Sequence, residues 1–357
     1  MTKEEINSIP IVFQLGIWRS GTTLLKFMLD AHPNIIAPTE SIFVVYLKKK
    51  YSTKRNWDKA TILRFVEDLY SESKFNYVWN VDKTKLTNHL LEFENELNFQ
   101  TACKIVYLNY PSPFKKAKIN VIVAKNPIYF LWMDELKEIF PEAKFMTISR
   151  GYKSNYLSRK KYGLDIFSTT SALAWRWELY YQSILKFNQK HPAVTCLVRY
   201  EDLIKNPEKE LTSICSFLNL AFNPNMLDYQ KDLHPFFKKA QKRLLSSSKE
   251  NQRKAKEHIA NFEMQKKLIR PTQEVIEEHK EKLGSRITQK ELGILQQICS
   301  TSAGQLGYEA INNASQKASF SKILVNMTNS GYRFLYNSLP FSLRRKVIRF
   351  LQLITGR

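Results

Sequence analysis

Two glycines in the segment GIWRSGTT, residues 16–23, have the spacing of a phosphate-binding turn. Gly16 and Gly21 enclose four residues, as in the GxxxxG of a P-loop. The segment follows a predicted strand and leads into a predicted helix. In this arrangement, unpaired backbone N–H groups and the positive end of the helix attract an anion to one point. We therefore predict an anion site in this segment, which we call the phosphate loop.

The side chains of the phosphate loop favour a single phosphate-sized group over a nucleoside triphosphate. A P-loop places Lys after the second Gly, where it reaches the β- and γ-phosphates, whereas this chain has Thr22. Arg19 supplies the positive charge instead, and the neighbouring Ser20 and Thr23 add two further hydroxyls. This set of donors suits one phosphate-sized anion without Mg²⁺.

A second cation follows the predicted strand Lys144–Ser149. Arg150 stands at the carboxyl end of this strand, and Ser158 lies on the helix predicted after it. Ligands of open α/β sheets bind at the carboxyl ends of the strands, and Arg is well suited to phosphate. We predict that this pair clamps a second phosphate; the alternative is a surface Arg and a helical Ser.

Short apolar runs alternate with longer helical patterns and must position these groups. The runs are Ile11–Leu15, 121–124, Lys144–Ser149 and 194–198. Strands that alternate with helices are typical of a parallel sheet. We predict an α/β fold with a P-loop-like parallel sheet flanked by helices on both faces. Residues 45–118 fit the alternation poorly and are predicted to form a helical insertion on the acceptor side.

The composition restricts the class of protein. The 357 residues are 43% hydrophobic and 13% aromatic, which excludes disorder over most of the chain. No apolar run approaches the roughly 20 residues of a membrane span, and Glu4 and Glu5 stand where a secretory signal would carry positive charge. The four cysteines are scattered, which favours neither a zinc site nor a disulfide framework. We expect a cytoplasmic protein with buried thiols, and the net charge of +22 predicts an anionic ligand or surface.

The C-terminal extension, residues 311–357, is predicted to be a basic amphipathic helical tail. Residues 315–357 contain eight basic side chains and no acidic one. We expect this tail either to lie on an anionic membrane surface or to dock on the domain with a solvated basic face. A second basic stretch, residues 231–256, is either a solvated helix face or a phosphate clasp. In the tail, the apolar positions at helical spacing are Leu343, Val347, Phe350, Leu351 and Ile354, and the other faces carry Arg344, Arg345, Lys346 and Arg349.

Motifs between residues 10 and 228 resemble those of the sulfotransferases that use 3′-phosphoadenosine 5′-phosphosulfate (PAPS). The similarity is greatest to the protein-tyrosine sulfotransferases, and it predicts a sulfotransferase domain over residues 8–310. The matching motifs are, in chain order, GIWRSGTTLLKFMLDAHP (16–33), KNP (125–127) followed by FPEAKF (140–145), Arg150 with Ser158, and RYEDL (199–203) followed by NPE (206–208).

The resemblance implies a role for each matching residue. Lys125 would lie near the oxygen that bridges phosphate and sulfur, and Tyr200 would approach the nucleotide. Neither a metal cofactor nor a nucleic-acid partner is expected. The 5′-phosphate and the sulfuryl group would be held by Arg19, Ser20, Gly21, Thr22 and Thr23, and the 3′-phosphate by Arg150 and Ser158.

Glu40 falls where the protein-tyrosine sulfotransferases place their catalytic base. His32 is the rival candidate, although a His-Pro that ends a helix is more often a packed turn. Two residues after the base those enzymes have an Arg, and this chain has Ile42. The resemblance therefore implies a small-molecule or saccharide acceptor, such as a carbohydrate, a lipid-linked molecule or a secondary metabolite, rather than an acidic peptide.

Two other functions stay open at this stage. One is a nucleotide-dependent kinase of the P-loop class, against which Thr22 argues. The other is a non-catalytic basic module that binds an anionic polymer or a membrane. For the sulfotransferase, the basic tail predicts peripheral contact with the inner membrane surface of the cell.

Overall fold

The computed structural model describes residues 1–72, 75–162, 169–233, 287–311 and 320–340, together with 343, 344 and 347. Its helices, numbered here in chain order, are α1 (Lys3–Ser8), α2 (Thr22–Asp30), α3 (Phe43–Tyr51), α4 (Lys59–Tyr70), α5 (Lys83–Leu91), α6 (Phe99–Leu108), α7 (Met133–Ile139), α8 (Tyr152–Tyr162), α9 (Thr170–Lys190), α10 (Tyr200–Lys205), α11 (Pro207–Phe217), α12 (Gln289–Gln305) and α13 (Phe320–Asn337).

Five parallel strands form one sheet in the order β2-β3-β1-β4-β5. The four predicted strands are present with ends that shift by at most one residue. The sequence patterns missed β2, because a two-residue strand has no measurable periodicity. The strands are β1 (Ile11–Leu15), β2 (Ile35–Ile36), β3 (Val121–Lys125), β4 (Lys144–Ser149) and β5 (Thr195–Arg199).

Helices cover both faces of the sheet, as predicted. All five residues of β1 are buried, and successive side chains of a strand point to opposite faces. Phe13 belongs to a core that includes residues of α6 and α9. Val12 belongs to a second core built with α2, α10 and α11. The carboxyl ends of β1, β3 and β4 therefore lie side by side between two packed layers.

The segment between β2 and β3 is helical, as the poor strand pattern of residues 45–118 indicated. It contains α3 to α6, whose bounds run from Phe43 to Leu108. Aromatic contacts bind this segment together. The centroid of the Phe43 ring lies 4.9 Å from that of Tyr107 and 5.8 Å from that of Trp79. Its place on the acceptor side stays a prediction.

The C-terminal residues correct one detail of the predicted amphipathic tail. Leu343, assigned to the apolar side, is 45% exposed, whereas Arg344, assigned to a polar face, is 1% exposed. The Arg344 guanidinium donates hydrogen bonds to the carbonyl oxygens of Tyr46 at 2.5 Å and Leu339 at 3.2 Å. Burial of this charge is compensated by these acceptors. The rest of the predicted pattern, apart from the partly buried Val347, lies outside the described residues, as does most of the basic stretch 231–256.

The cysteines are free thiols. Cys103, Cys215 and Cys299 are buried and Cys196 is partly buried, close to the prediction of four buried thiols. Burial raises the pKa of both Cys196 and Cys215 to about 11. None of the helices described here is both long and apolar enough to cross a membrane.

Candidate active site

Both glycines of the phosphate loop are required by the close approach of neighbouring groups. A Cβ at Gly21, whose φ is +90°, would lie 2.4 Å from Cδ2 of Tyr200. A Cβ at Gly16 would lie 2.5 Å from Cγ2 of Thr22 and 2.8 Å from the carbonyl oxygen of Ile148. The loop runs from the end of β1 to the start of α2 at Thr22, which is the predicted strand–loop–helix cradle for an anion.

Arg19 brings the two predicted phosphate sites together. Its φ of +71° is uncommon for a residue other than glycine, and such conformations cluster at functional sites. Its Nε donates to the Ser158 hydroxyl at 3.0 Å, and its carbonyl oxygen accepts from Nη1 of Arg150 at 3.1 Å. Residues predicted to hold the two ends of PAPS are therefore in direct contact at one place, here called the cleft.

Ser20 lies within a hydrogen-bond network beneath the loop. Its side chain is fully buried, and its Oγ lies 3.2 Å from the Tyr181 hydroxyl and accepts from Nδ2 of Asn155 at 3.2 Å. Asn155 also donates to the carbonyl oxygen of Trp18 at 2.9 Å. The sequence patterns missed Asn155 and Tyr181, although Asn155 stands on α8 three residues before the predicted Ser158. This network holds the loop in shape.

Tyr180 joins the phosphate loop to the end of β3. Its hydroxyl accepts from the Gly16 N–H at 2.8 Å and donates to the carbonyl oxygen of Pro127 at 3.0 Å. Tyr180 was also missed, because it lies on α9, outside every recognised motif. Its bridge fixes the distance between the loop and the KNP segment that contains Lys125.

Lys125, the last residue of β3, contacts Glu40. The Lys125 ammonium donates a hydrogen bond to the Glu40 carboxylate and lies 3.4 Å from the Thr23 hydroxyl. The Lys125 side chain is 4% exposed and that of Glu40 is 23% exposed. The predicted base, the predicted leaving-group cation and a hydroxyl of the phosphate loop therefore meet, with the carboxylate still reachable from solvent.

Tyr200 contacts both predicted phosphate sites. Its ring lies against Gly21 of the phosphate loop, and the Arg150 guanidinium stacks 4.5 Å from its centroid. Burial raises the pKa of Tyr200, while the adjacent positive charge of Arg150 acts in the opposite direction. The hydroxyl therefore stays protonated at neutral pH, and the ring holds the Arg150 side chain in the cleft.

Glu201 holds the turn after Arg150. Its carboxylate accepts from the Gly151 N–H at 3.0 Å and from the Tyr308 hydroxyl at 2.9 Å. Tyr308, which no sequence pattern indicated, also lies 3.0 Å from the Ser149 hydroxyl. Glu201 of α10 therefore stabilises the turn between β4 and α8.

His32, the rival candidate for the base, is held by two hydrogen bonds. Its Nδ1 accepts from the Asn34 N–H at 3.1 Å, so Nε2 donates to the carbonyl oxygen of Ala221 at 3.0 Å. Burial lowers the pKa of His32. These contacts support the prediction of a packed turn at His32-Pro33.

A buried charge cluster fixes the chain between α2 and β2. The Asp30 carboxylate is fully buried and contacts the ammonium groups of Lys26 at 3.2 Å and Lys116 at 3.1 Å. It also accepts from the Ala37 N–H at 3.0 Å, three residues before Glu40. Burial lowers the pKa of Lys26 to about 8, against the opposing effect of Asp30. The cluster was missed because Lys116 is distant in sequence.

Among the residues that the structure describes, no group of three or more His, Cys, Asp or Glu side chains could hold a metal ion. The groups that line the cleft are instead backbone N–H donors, hydroxyls and the cations Arg19, Lys125 and Arg150. Such groups bind anions, and phosphate above all.

A sequence model of the sulfotransferase family matches residues 10–224. The chain belongs to the sulfotransferase family. Protein-tyrosine sulfotransferase 1 of Danio rerio is 26% identical over 233 residues, which are 62% of this chain and 57% of that protein. Protein-tyrosine sulfotransferase A of Caenorhabditis elegans is 25% identical over 230 residues, which are 62% of this chain and 53% of that protein. The chain thus spans little more than half the length of these two relatives.

Solved structures similar to this sulfotransferase-family chain include two sulfotransferase domains. The domain from the curacin biosynthetic pathway is 24% identical with a TM-score of 0.42, and the match covers 62% of this chain and 77% of the domain. The domain from the Synechococcus PCC 7002 olefin synthase is 17% identical with a TM-score of 0.44, covering 93% of this chain and 96% of the domain.

Proposed function

We propose that this chain transfers a sulfuryl group from PAPS to a hydroxyl or amine acceptor, with Glu40 as the base and without a metal ion. The contact of Lys125 with both Glu40 and the Thr23 hydroxyl carries this proposal. It puts a proton acceptor and a cation together at the edge of an anion-binding loop.

The cleft fits a donor with phosphates at both ends. Arg150 donates a hydrogen bond to the Arg19 carbonyl oxygen, so a second cation lies beside the loop, and the loop leads into the N-terminus of α2, which favours an anion. In the proposal, residues 19–23 hold the 5′ end, and Arg150 and Ser158 hold the 3′-phosphate beside the Tyr200 ring.

The donor substrate PAPS supplies a sulfuryl group that is activated by its attachment to phosphate. Transfer of such a group depends mainly on positioning and electrostatics. Glu40 would take the proton from the acceptor as its oxygen or nitrogen bonds to sulfur. Lys125 would stabilise the negative charge on the phosphate oxygen that leaves. Because its ammonium is almost fully buried, that stabilisation is stronger than at an exposed position.

We propose a neutral acceptor, such as a carbohydrate, a lipid-linked molecule or a secondary metabolite. The relatives named protein-tyrosine sulfotransferases have an Arg two residues after the base, and this chain has Ile42, whose partly buried side chain packs against the hydrophobic core. An apolar residue there offers no charge for an acidic peptide. Incubating cell extract with PAPS labelled in the sulfate, and identifying the labelled product, would test the acceptor class.

Substitution of Glu40 by Gln tests the base. We expect kcat for label transfer to fall by about 10²-fold or more, the usual scale for loss of a general base. Affinity for adenosine 3′,5′-bisphosphate, measured by calorimetry, should change little. The matched control is Glu138→Gln on the exposed part of α7, which should behave like the unmodified chain. Unchanged turnover in Glu40→Gln would remove Glu40 from this role.

The same calorimetry separates the proposal from its rivals. A sulfotransferase should bind adenosine 3′,5′-bisphosphate with micromolar affinity, and Arg150→Gln should abolish that binding. A kinase would instead bind ATP with Mg²⁺. A non-catalytic basic module would bind any polyanion with steep salt dependence.

A further inference from the structure

We propose that α13 docks on an anionic lipid surface through an exposed apolar stripe. The stripe consists of four large apolar residues: Phe320, Ile323, Met327 and Phe334. The inference concerns a surface outside the catalytic cleft and does not rest on the proposed function.

The stripe residues are on one side of α13 and open to solvent. Their spacings of three, four and seven residues place them on one helical face. Phe320 is 78% exposed, Met327 65%, Phe334 59% and Ile323 55%. Large apolar side chains with this exposure, aligned along one helix face, mark an interaction surface rather than ordinary scatter.

The other side of α13 is already packed. Val325, Leu335 and Tyr336 are buried and belong to the main hydrophobic core, where α13 contacts α3 and α9. The helix therefore has two apolar faces, and only one of them contributes to the fold. Packing on the domain requires only one apolar face of a helix, so it does not account for the stripe.

Polar contacts fix the rotation of α13 so that the stripe faces outward. Arg333 donates to the carbonyl oxygen of Leu131 at 2.8 Å and pairs with Glu135 at 2.9 Å. Asn337 accepts from the Trp132 indole N–H at 2.9 Å. Because these contacts tether the C-terminal half of the helix, the stripe cannot turn inward without breaking them.

The positive charge of the chain favours an anionic bilayer over a second copy of the chain as the partner that covers the stripe. The sequence 315–357 has eight basic residues and no acidic one, and the chain carries +22. Of the eight, Arg344 is buried and Arg333 is paired with Glu135. A second copy would bring the same excess of positive charge and be repelled. An anionic bilayer attracts this excess of Lys and Arg side chains. Apolar side chains of an amphipathic helix enter the boundary between headgroups and acyl chains.

Vesicle co-sedimentation of the full chain tests the proposal. The probes are vesicles of phosphatidylcholine alone and of phosphatidylcholine mixed with phosphatidylglycerol. We expect binding to the mixed vesicles only, reduced by high salt. The stripe variant F320S/I323S/M327S/F334S should lose at least about tenfold in partition, since the four serines remove the apolar area that would be buried in the lipid.

Two matched controls make the result specific. Leu63→Ser and Leu197→Ser remove apolar residues that are 42% and 38% exposed but lie off α13, and should keep vesicle binding. Thermal unfolding followed by circular dichroism should be unchanged in the stripe variant, because its four residues are exposed. If that variant unfolds, F320S and M327S are tested singly, and each should bind more weakly than the unmodified chain.

Three results would overturn the proposal. Equal vesicle binding by the stripe variant would show that the lysines and arginines act alone. Equal binding to neutral and anionic vesicles would remove the electrostatic argument. A dimer in sedimentation velocity that the stripe variant abolishes would assign the stripe to a second copy.

Discussion

At the scale of single residues, the Lys125–Glu40 pair is the centre of the site. The two groups are 85 positions apart, yet each is placed by a rigid element: Lys125 by the end of β3, and Glu40 by the chain that leaves β2. In the proposed function, an anionic donor group near Lys125 would compete for the ammonium. The Glu40 carboxylate would then be available to take the proton of the acceptor.

A double-mutant cycle on this pair tests whether Lys125 and Glu40 act together. Lys125→Met should lower kcat by about 10²–10³-fold, the scale seen when one stabilising donor is removed. Because the two residues are in contact, Glu40→Gln combined with Lys125→Met should lose less than the product of the single effects. Initial rates of label transfer from PAPS are measured for the unmodified chain, the two single variants and the double variant. Strictly multiplicative losses would show that the residues act independently.

The buried cluster at Asp30 predicts unequal effects of two neighbouring substitutions. Asp30→Asn removes the carboxylate from between two ammonium groups, and breaking a buried ion pair in this way costs about 3–5 kcal/mol. Lys26→Met leaves Asp30 in contact with Lys116, so no uncompensated charge stays buried and the free energy of unfolding should fall by less than in Asp30→Asn. Urea unfolding of the two variants gives the comparison. Equal losses would contradict the role of Lys116.

Sequence reasoning found the residues of this site that belong to local motifs. Gly16 and Arg150 directly follow strands, and Lys125 ends one; strand ends are readable from short apolar runs. Tyr180 was missed because its contact with Gly16 spans 164 positions. No local pattern encodes such a contact, which depends on how α9 packs against the sheet.

At the scale of secondary-structure elements, α8 contributes Asn155 and Ser158 to the site and is tied to α12. Glu291 of α12 accepts hydrogen bonds from the Lys160 ammonium and the Tyr156 hydroxyl, both at 2.6 Å. These contacts, together with the capping bond from the Thr288 N–H, lower the pKa of Glu291 to about 2. The tether therefore depends on an ionised carboxylate.

The Glu291 tether predicts a specific loss of stability in acid. A carboxyl whose pKa is lower in the folded protein binds fewer protons there than in the unfolded chain, so its contribution is present above its ordinary pKa of 4.5 and is lost as the pH falls towards 2. Urea unfolding from pH 6 to pH 3 should show a steeper decline for the unmodified chain than for Glu291→Gln. Parallel curves would contradict the tether.

The helices were harder to predict than the strands in one respect. A helical pattern shows that two faces differ but does not say which face meets the core. In the tail, the predicted polar Arg344 is the buried residue and the predicted apolar Leu343 is exposed. The Arg344 guanidinium is stabilised by carbonyl oxygens and by the aromatic rings of Tyr46 and Tyr336. Sequence spacing cannot reveal these contacts.

At the scale of the whole molecule, one sheet connects two hydrophobic cores through the strands that end at the site. β1 lies between β3 and β4, and its side chains enter both cores. A ligand at these strand ends contacts groups from both layers. Its binding should therefore stabilise the folded domain as a unit.

Donor-product binding predicts a measurable gain in stability. Adenosine 3′,5′-bisphosphate at about 100 times its Kd should add about 2.7 kcal/mol to the free energy of unfolding. Arg150→Gln should remove this gain, while Arg55→Gln on the exposed surface should keep it. Urea midpoints with and without the ligand measure both. No gain for the unmodified chain would contradict a donor site in the cleft.

The hydrogen bonds that link Arg19 to Ser158 and Arg150 to the Arg19 backbone also set the entropy of recognition. Two guanidinium groups are gathered and oriented while the polypeptide acquires its tertiary structure. In the proposed function, a nucleotide that arrives later would have few side chains to immobilise, so more of its contact energy would appear as affinity.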